Sequence, residues 1–195
     1  MGAVQQLRES IQAYGVDDAI TARIFAGYEN ITDGATKRVR AAFFLQAISV
    51  MDEMLPEEAR RDIRDACACS TGGWRLKASQ KIGKEYKGRP IEEALQALGE
   101  VRYMGKPVLN PDGTITAGIG DEGGFDCPCP VFTNVKLDGP VSKTYCYCCA
   151  GHYRFHYQIA LNRKLVTKTV ISSILNSAKK EPCRFVYEIV DEGAV

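Results

Sequence analysis

Seven of the eight cysteines stand in three tight clusters, Cys67-Ala68-Cys69, Cys127-Pro128-Cys129 and Cys146-Tyr147-Cys148-Cys149, and His152 follows the last by three residues. Thiolates and imidazoles at such spacing suit soft or borderline metal ions, because each cluster delivers two donors from one short stretch of backbone. Zinc on a subset of Cys67, Cys69, Cys127, Cys129, Cys146, Cys148, Cys149 and His152 is the leading expectation. The ion would be structural, or catalytic with one position left to water. An iron-sulfur cluster is the alternative cofactor, although the spacings are not the usual cluster-binding run. Thiol redox exchange and reduced, buried thiols acting as small hydrophobes stay open as readings.

Around these clusters lie groups that could complete a site. Asp121, Glu122 and Asp126, just ahead of Cys127, are candidates for a carboxylate ligand or general base, against the simpler role of solvating a loop. Trp74 and Arg75, shortly after Cys69, could line a pocket and bind an anionic group. Tyr147 and Tyr153, with Tyr145, Phe155 and Tyr157, could wall a small-molecule cavity or simply pack. His152 and His156 are one helical turn apart, a chelating spacing that packing explains equally well. The run Gly118-Ile119-Gly120-Asp121-Glu122-Gly123 fits G-x-G-x-x-G but leads to Phe125-Asp126-Cys127-Pro128 instead of opening a helix, so a dinucleotide site is rejected. Those glycines are expected to form a mobile loop delivering Cys127 and Cys129.

The elements that must position these groups divide the chain. Helical spacing of apolar residues predicts helices over 4–14, 17–28, 35–54, 57–69 and 91–101. Pro56 and Pro90 read as first-turn prolines, each followed by paired glutamates suited to a helix N-terminus. Thr71-Gly72-Gly73-Trp74 reads as a break that leaves Cys67 and Cys69 at a helix end. Lys77, Lys81, Lys84 and Lys87 form a basic helical stripe, expected to be a solvated face. After residue 103, β-branched residues, Gly and Pro predict strands. Hairpins are expected over 108–119, turning at Asn110-Pro111-Asp112-Gly113, and over 131–148, turning at Asp138-Gly139. A helix over 151–161 and strands over 164–175 and 183–190 complete the expectation. In the second hairpin, strand alternation would put Cys127, Cys129, Cys146 and Cys148 on one face, with Cys149 on the other. Pro128 and Pro130 weigh against regular pairing there.

The fold class is therefore α+β: a mainly helical part, 1–103, packed on an antiparallel sheet formed by 104–195, within one domain of 195 residues. Hydrophobic content of 45% and a net charge of +1 give no polybasic surface for nucleic acid or an anionic membrane. No basic leader or long apolar run is evident, so the expected compartment is the cytoplasm, where thiols stay reduced. The oligomeric state is open, a dimer included.

Residues 145–189 carry a resemblance. Their motifs are Tyr145-Cys146-Tyr147-Cys148-Cys149-Ala150-Gly151-His152-Tyr153-Arg154, Thr167-Lys168-Thr169-Val170-Ile171-Ser172-Ser173 and Pro182-Cys183-Arg184-Phe185-Val186-Tyr187-Glu188-Ile189. The stretch resembles an uncharacterised cysteine-rich bacterial family. It is also similar to the C-terminal part of vinyl-reductase-like small-molecule-binding domains and of aminothiazoline-carboxylate hydrolase-like proteins. The resemblance implies an α+β fold with helices on an antiparallel sheet. In some members, notably aromatic-compound sensors, zinc is held by cysteines near a terminal Cys-x-Phe strand. It thereby makes Cys183 a ligand candidate with one of Cys146, Cys148 or Cys149. The sensors' second cysteine on the connecting strand is missing here, so their full ligand set does not carry over. The Cys67 and Cys127 clusters are the candidate replacements. The combined expectation is a zinc site beside a small-molecule pocket, serving ligand binding or metal-assisted hydrolysis. In the hydrolase version, zinc-bound water is the nucleophile, Asp121, Glu122 or Asp126 the base and Arg75 the substrate anchor.

Overall fold

In the α1 helix, Ala3–Tyr14, the apolar residues Val4, Leu7 and Ile11 recur on one face and are buried, and Gly15 ends the helix in the left-handed conformation at φ 78°. The computed structural model describes residues 2–69, 71–120 and 126–191. α2 (Asp18–Ile24) starts at Asp17, whose carboxylate accepts from the Ala19 amide, and α3 (Lys37–Met54) starts at Thr36, whose hydroxyl accepts from the Val39 amide. α4 (Glu57–Ala66) and α6 (Ile91–Glu100) follow Pro56 and Pro90, which occupy the cap positions immediately before the first helical turn. Between them α5 (Gly73–Glu85) begins at the glycine pair read as a break and carries the lysine stripe.

The sheet is antiparallel throughout, in the order β1-β2-β4-β3, with β1 at Val108–Leu109, β2 at Ile115–Ile119, β3 at Lys164–Ser172 and β4 at Cys183–Asp191. The turn between β1 and β2 is the one expected at Asn110-Pro111-Asp112-Gly113, held by the Asp112 carboxylate on the Thr114 amide at 3.0 Å and by Gly113 at φ 81°. β3 and β4 form the longest pair, with Thr167 opposite Tyr187 and three irregularities that bend the ribbon.

The second expected hairpin is not formed. Asp138 and Gly139 make a bend, but Cys146, Cys148 and Cys149 lie in α7 (Lys143–Leu161), which starts eight residues before the predicted 151. Ser142 caps it by accepting from the Thr144 amide. The alternation Tyr145-Cys146-Tyr147-Cys148 imitates a strand because α7 is surrounded: all four residues are buried, so no solvent-facing stripe betrays the helical period. The common face of Cys127, Cys129, Cys146 and Cys148 falls with the hairpin. On a helix, Cys146 and Cys148 point about 200° apart.

α7 is the axis of the molecule. Its flanks pack on α4 and α5, and one side lies on the sheet, where Tyr187 donates to the Ala150 carbonyl at 3.0 Å. Both helix contacts run backbone against backbone: a Cβ on Gly151 would strike the Asp65 carbonyl oxygen, and one on Gly83 the Ile159 carbonyl oxygen. Asp65 ties three elements together, accepting two bonds from Arg154 of α7, at 2.5 and 2.7 Å, and one from the Thr167 hydroxyl of β3. One apolar core runs from Leu7 and Phe43 through Tyr157 to Phe185, joining the helical part to the sheet.

Because the Asp65 carbonyl is backbone and cannot swing aside, Gly151→Ala is expected to lower the stability measured by urea unfolding by about 3 kcal/mol. Gly139→Ala, in open space and without positive φ, should stay within about 0.5 kcal/mol of the native protein. Equal effects of the two would contradict the close approach.

Candidate functional site

Where α4 ends, Cys67 serves as the cap residue, and its thiol donates to the Ile63 carbonyl at 3.2 Å. One turn earlier stands Arg64, only 2% exposed. Its guanidinium lies 4.8 Å from the Tyr145 ring centroid and 5.5 Å from that of Phe44, and donates to the Tyr145 carbonyl at 3.0 Å. Its charge favours the ionised form of Cys148 and of Cys67, and its Nε has no partner. Among the described residues no carboxylate pairs with it. A permanent cation thus sits in the protein interior, held against two aromatic rings and a carbonyl.

Arg64 forms the inner wall of a cavity of about 610 Å³, enclosed by α4, the start of α5, the segment 99–106, the end of β2, residues 126–131 and α7. Five of the eight cysteines line it, Cys67, Cys69, Cys129, Cys148 and Cys149, together with His152, Tyr153 and Arg75. The α7 contributors are spaced as a helix requires: Tyr145, Cys148, Cys149, His152 and Tyr153 share one face at intervals of three and four. The remaining cysteines are elsewhere. Cys146 is buried on another side of α7, bonded to Ser173. Cys183 opens β4 and accepts from the Ile174 amide at 3.5 Å. Cys127 lines a separate cavity.

The thiols differ in ionisation because their surroundings differ. Burial pushes Cys67, Cys129, Cys146 and Cys183 upward, and Cys127 up to about 12. Cys148 goes the other way, down to about 6, because the Cys149 thiol donates a hydrogen bond to its sulfur and Arg64 adds its charge, together outweighing burial. Cys149, the donor, is correspondingly held well above the ordinary thiol range. At neutral pH the cavity wall thus carries one ionised sulfur among several protonated ones.

His152 is neutral in the same wall. Its Nδ1 lies 2.5 Å from the Cys69 carbonyl oxygen, an acceptor only, so Nδ1 bears the proton. Burial, reinforced by neighbouring His156, lowers the ring to about 4. His156 stacks on it edge-on at 4.8 Å and uses Nδ1 on the Ser79 hydroxyl at 3.2 Å, so both rings have committed the same nitrogen to packing contacts. Among the described residues no three His, Cys, Asp or Glu side chains are grouped so as to hold a metal ion.

Other sequence candidates scatter. Asp126 reaches the cavity rim, but its carboxylate is tied to Lys179 at 2.7 Å and held below the usual carboxylate range by that lysine. Asp121 and Glu122 lie outside the described residues. Tyr147 is buried away from the cavity, while Tyr153 lines it and donates to the Tyr103 carbonyl at 3.4 Å. Trp74, 51% exposed, stands beside the mouth with its ring 5.1 Å from the Arg75 guanidinium. Arg64 is not marked out in the sequence, because α4 is rich in charge and reads as solvated. Its one signal is the spacing of three to Cys67, which puts both on one helix face.

The rate at which iodoacetamide modifies Cys148 is expected to level off above an inflection near pH 6 and to fall about tenfold per pH unit below it, as the thiolate is lost. Removing the hydrogen-bond donor with Cys149→Ala should raise that inflection toward the ordinary thiol value of about 8.5, read by peptide mass mapping across pH. An unchanged inflection would show that Cys149 does not set it.

Compared with known proteins, the chain matches no protein-family model, no curated protein and no solved structure.

Proposed function

We propose that this protein binds a small, largely apolar molecule in the cavity and presents to it a reactive thiol, Cys148. The observation that carries the reading is the placement of Arg64: a buried guanidinium without a carboxylate partner among the described residues, standing in the same cavity wall as Cys148, whose thiolate its charge favours. A nucleophilic cysteine needs a nearby cation and access to its substrate, and this wall offers both. The volume suits a drug-sized ligand, and Tyr153, Val131 and Ile119 supply apolar lining. The resemblance of residues 145–189 to small-molecule-binding domains points the same way. Reduced thiols of this kind belong in a reducing compartment, which makes the cytoplasm the proposed location.

In the native chain, iodoacetamide is expected to label Cys148 ahead of the other seven cysteines, and a neutral apolar probe, methyl 2-naphthoate, should slow that labelling at least fivefold. Slow labelling spread over all eight cysteines, or a Cys148 rate indifferent to the probe at its solubility limit, would count against the reading.

A zinc ion is the second reading, favoured by one observation: the Cys148 charge opposes the ionisation of both Cys67 and Cys129, a repulsion that a bound cation would relieve. Elemental analysis of protein purified without chelator would then give about one zinc per chain, and iron in the same measurement would indicate a cluster instead. Less than a tenth of an equivalent of either metal would dismiss both.

A further inference from the structure

The cavity has a second arginine that no carboxylate pairs among the described residues. Arg75 occupies the first turn of α5, whose cap residue, Gly72, has no side-chain acceptor to offer. Its guanidinium is packed between aromatic rings, 5.1 Å from the Trp74 centroid and 5.9 Å from that of Tyr103. Its Nε is buried and without a hydrogen-bond partner, and among the described residues no carboxylate forms an ion pair with it.

Among the described residues, the groups around it do not neutralise it. His152 is uncharged, with its proton on the Cys69 carbonyl side. Asp126 is tied to Lys179, and Glu100 shares the opening with two further cations, Arg102 and Lys106. Arg102 is engaged with Tyr103, donating to its hydroxyl at 2.5 Å and stacking at 4.5 Å. Deeper in, Arg64 repeats the pattern against the rings of Tyr145 and Phe44. A cavity that is mostly apolar yet edged by arginines that no carboxylate pairs among the described residues will discriminate by ligand charge, because an anion bound there gains charge-assisted bonds.

We infer that the ligand class is a carboxylate on an apolar body, its carboxylate held by the planar fork of Arg75 between Trp74 and Tyr103, and its body directed inward along α7 toward Cys148. This deepens the cavity reading given above and rests on it. Arginine is well matched to such a ligand, since it stays charged at every physiological pH and meets a carboxylate with two parallel bonds, and the two flanking rings hold its plane fixed.

Trp74 is the only tryptophan in the chain and its ring lies 5.1 Å from the Arg75 guanidinium, so its fluorescence reports on the surroundings of that group. Titration of the full chain with 2-naphthoate and with its methyl ester, followed by Trp74 emission and by calorimetry, is the test. The acid is expected to bind at least tenfold more tightly than the ester. Arg75→Gln should weaken the acid about tenfold or more and leave the ester unchanged, the unchanged ester also certifying that the variant is folded, and Arg75→Lys should recover part of the loss. Equal affinities for acid and ester, or an Arg75→Gln that weakens both alike, would overturn the carboxylate assignment while leaving the cavity reading in place. If neither compound binds and neither protects Cys148 from iodoacetamide, both readings fall together.

Discussion

Everything in this fold turns on how closely α7 approaches its neighbours. At Gly151 and Gly83 it meets α4 and α5 backbone to backbone, at separations no side chain permits, so the three helices form one layer without slack. Asp65 of α4 then holds α7 through Arg154 and the sheet through Thr167. The cavity lies beside this rigid junction, and its wall is a face of α7 whose other faces are buried in the core. Residues on that face cannot rearrange independently, because each shares a helix with side chains packed against Phe185 and Tyr187.

The same burial that holds the wall in place also sorts the cysteines. Away from water a thiol keeps its proton, which is the fate of Cys67, Cys127, Cys129, Cys146 and Cys183. Cys148 escapes because two groups, the hydrogen-bonding Cys149 thiol and the charged Arg64 guanidinium, act on its sulfur from different elements. Cys149 is supplied by the local chain, whereas Arg64 arrives only when α4 docks. Thiol selectivity therefore has a local part, from the adjacent Cys149, and a tertiary part, from the Arg64 charge that arrives with α4.

Much of the architecture is nonetheless legible in the residues. Val4, Leu7 and Ile11 announce α1, Thr36 and Asp17 announce caps, and Asn110-Pro111-Asp112-Gly113 announces its turn, because each effect is local. The α+β class and the placing of Cys67 and Cys69 at a helix end are readable for the same reason. The start of α7 is not, because a helix buried all round shows no polar face, and Tyr-Cys-Tyr-Cys has the look of a strand. That one ambiguity decides the geometry of the last cluster: the helical turn, not the strand pleat, brings Cys148 and Cys149 beside His152 and separates them from Cys146. Arg64 is hidden for a different reason. A charged residue in a charged helix gives no sign of being buried until the fold supplies aromatic rings to lie against it.

The helical wall also fixes a length. Tyr145 and Tyr153 are eight residues apart, so the lining they bracket extends about 12 Å along the axis of α7. Along that distance α7 presents a phenol, then sulfur, then imidazole and a second phenol, with Arg64 of α4 lying over the first. Its divisions are set by the helical rise of about 1.5 Å per residue and cannot be adjusted by loop movement. A change in the length of molecule accommodated would have to come from the opposite side, from residues 101–106 or 126–131, where the chain has no regular structure to preserve. Variation in the size of the cavity would accordingly arise first in those two segments, with α7 left as the constant scale against which they are trimmed.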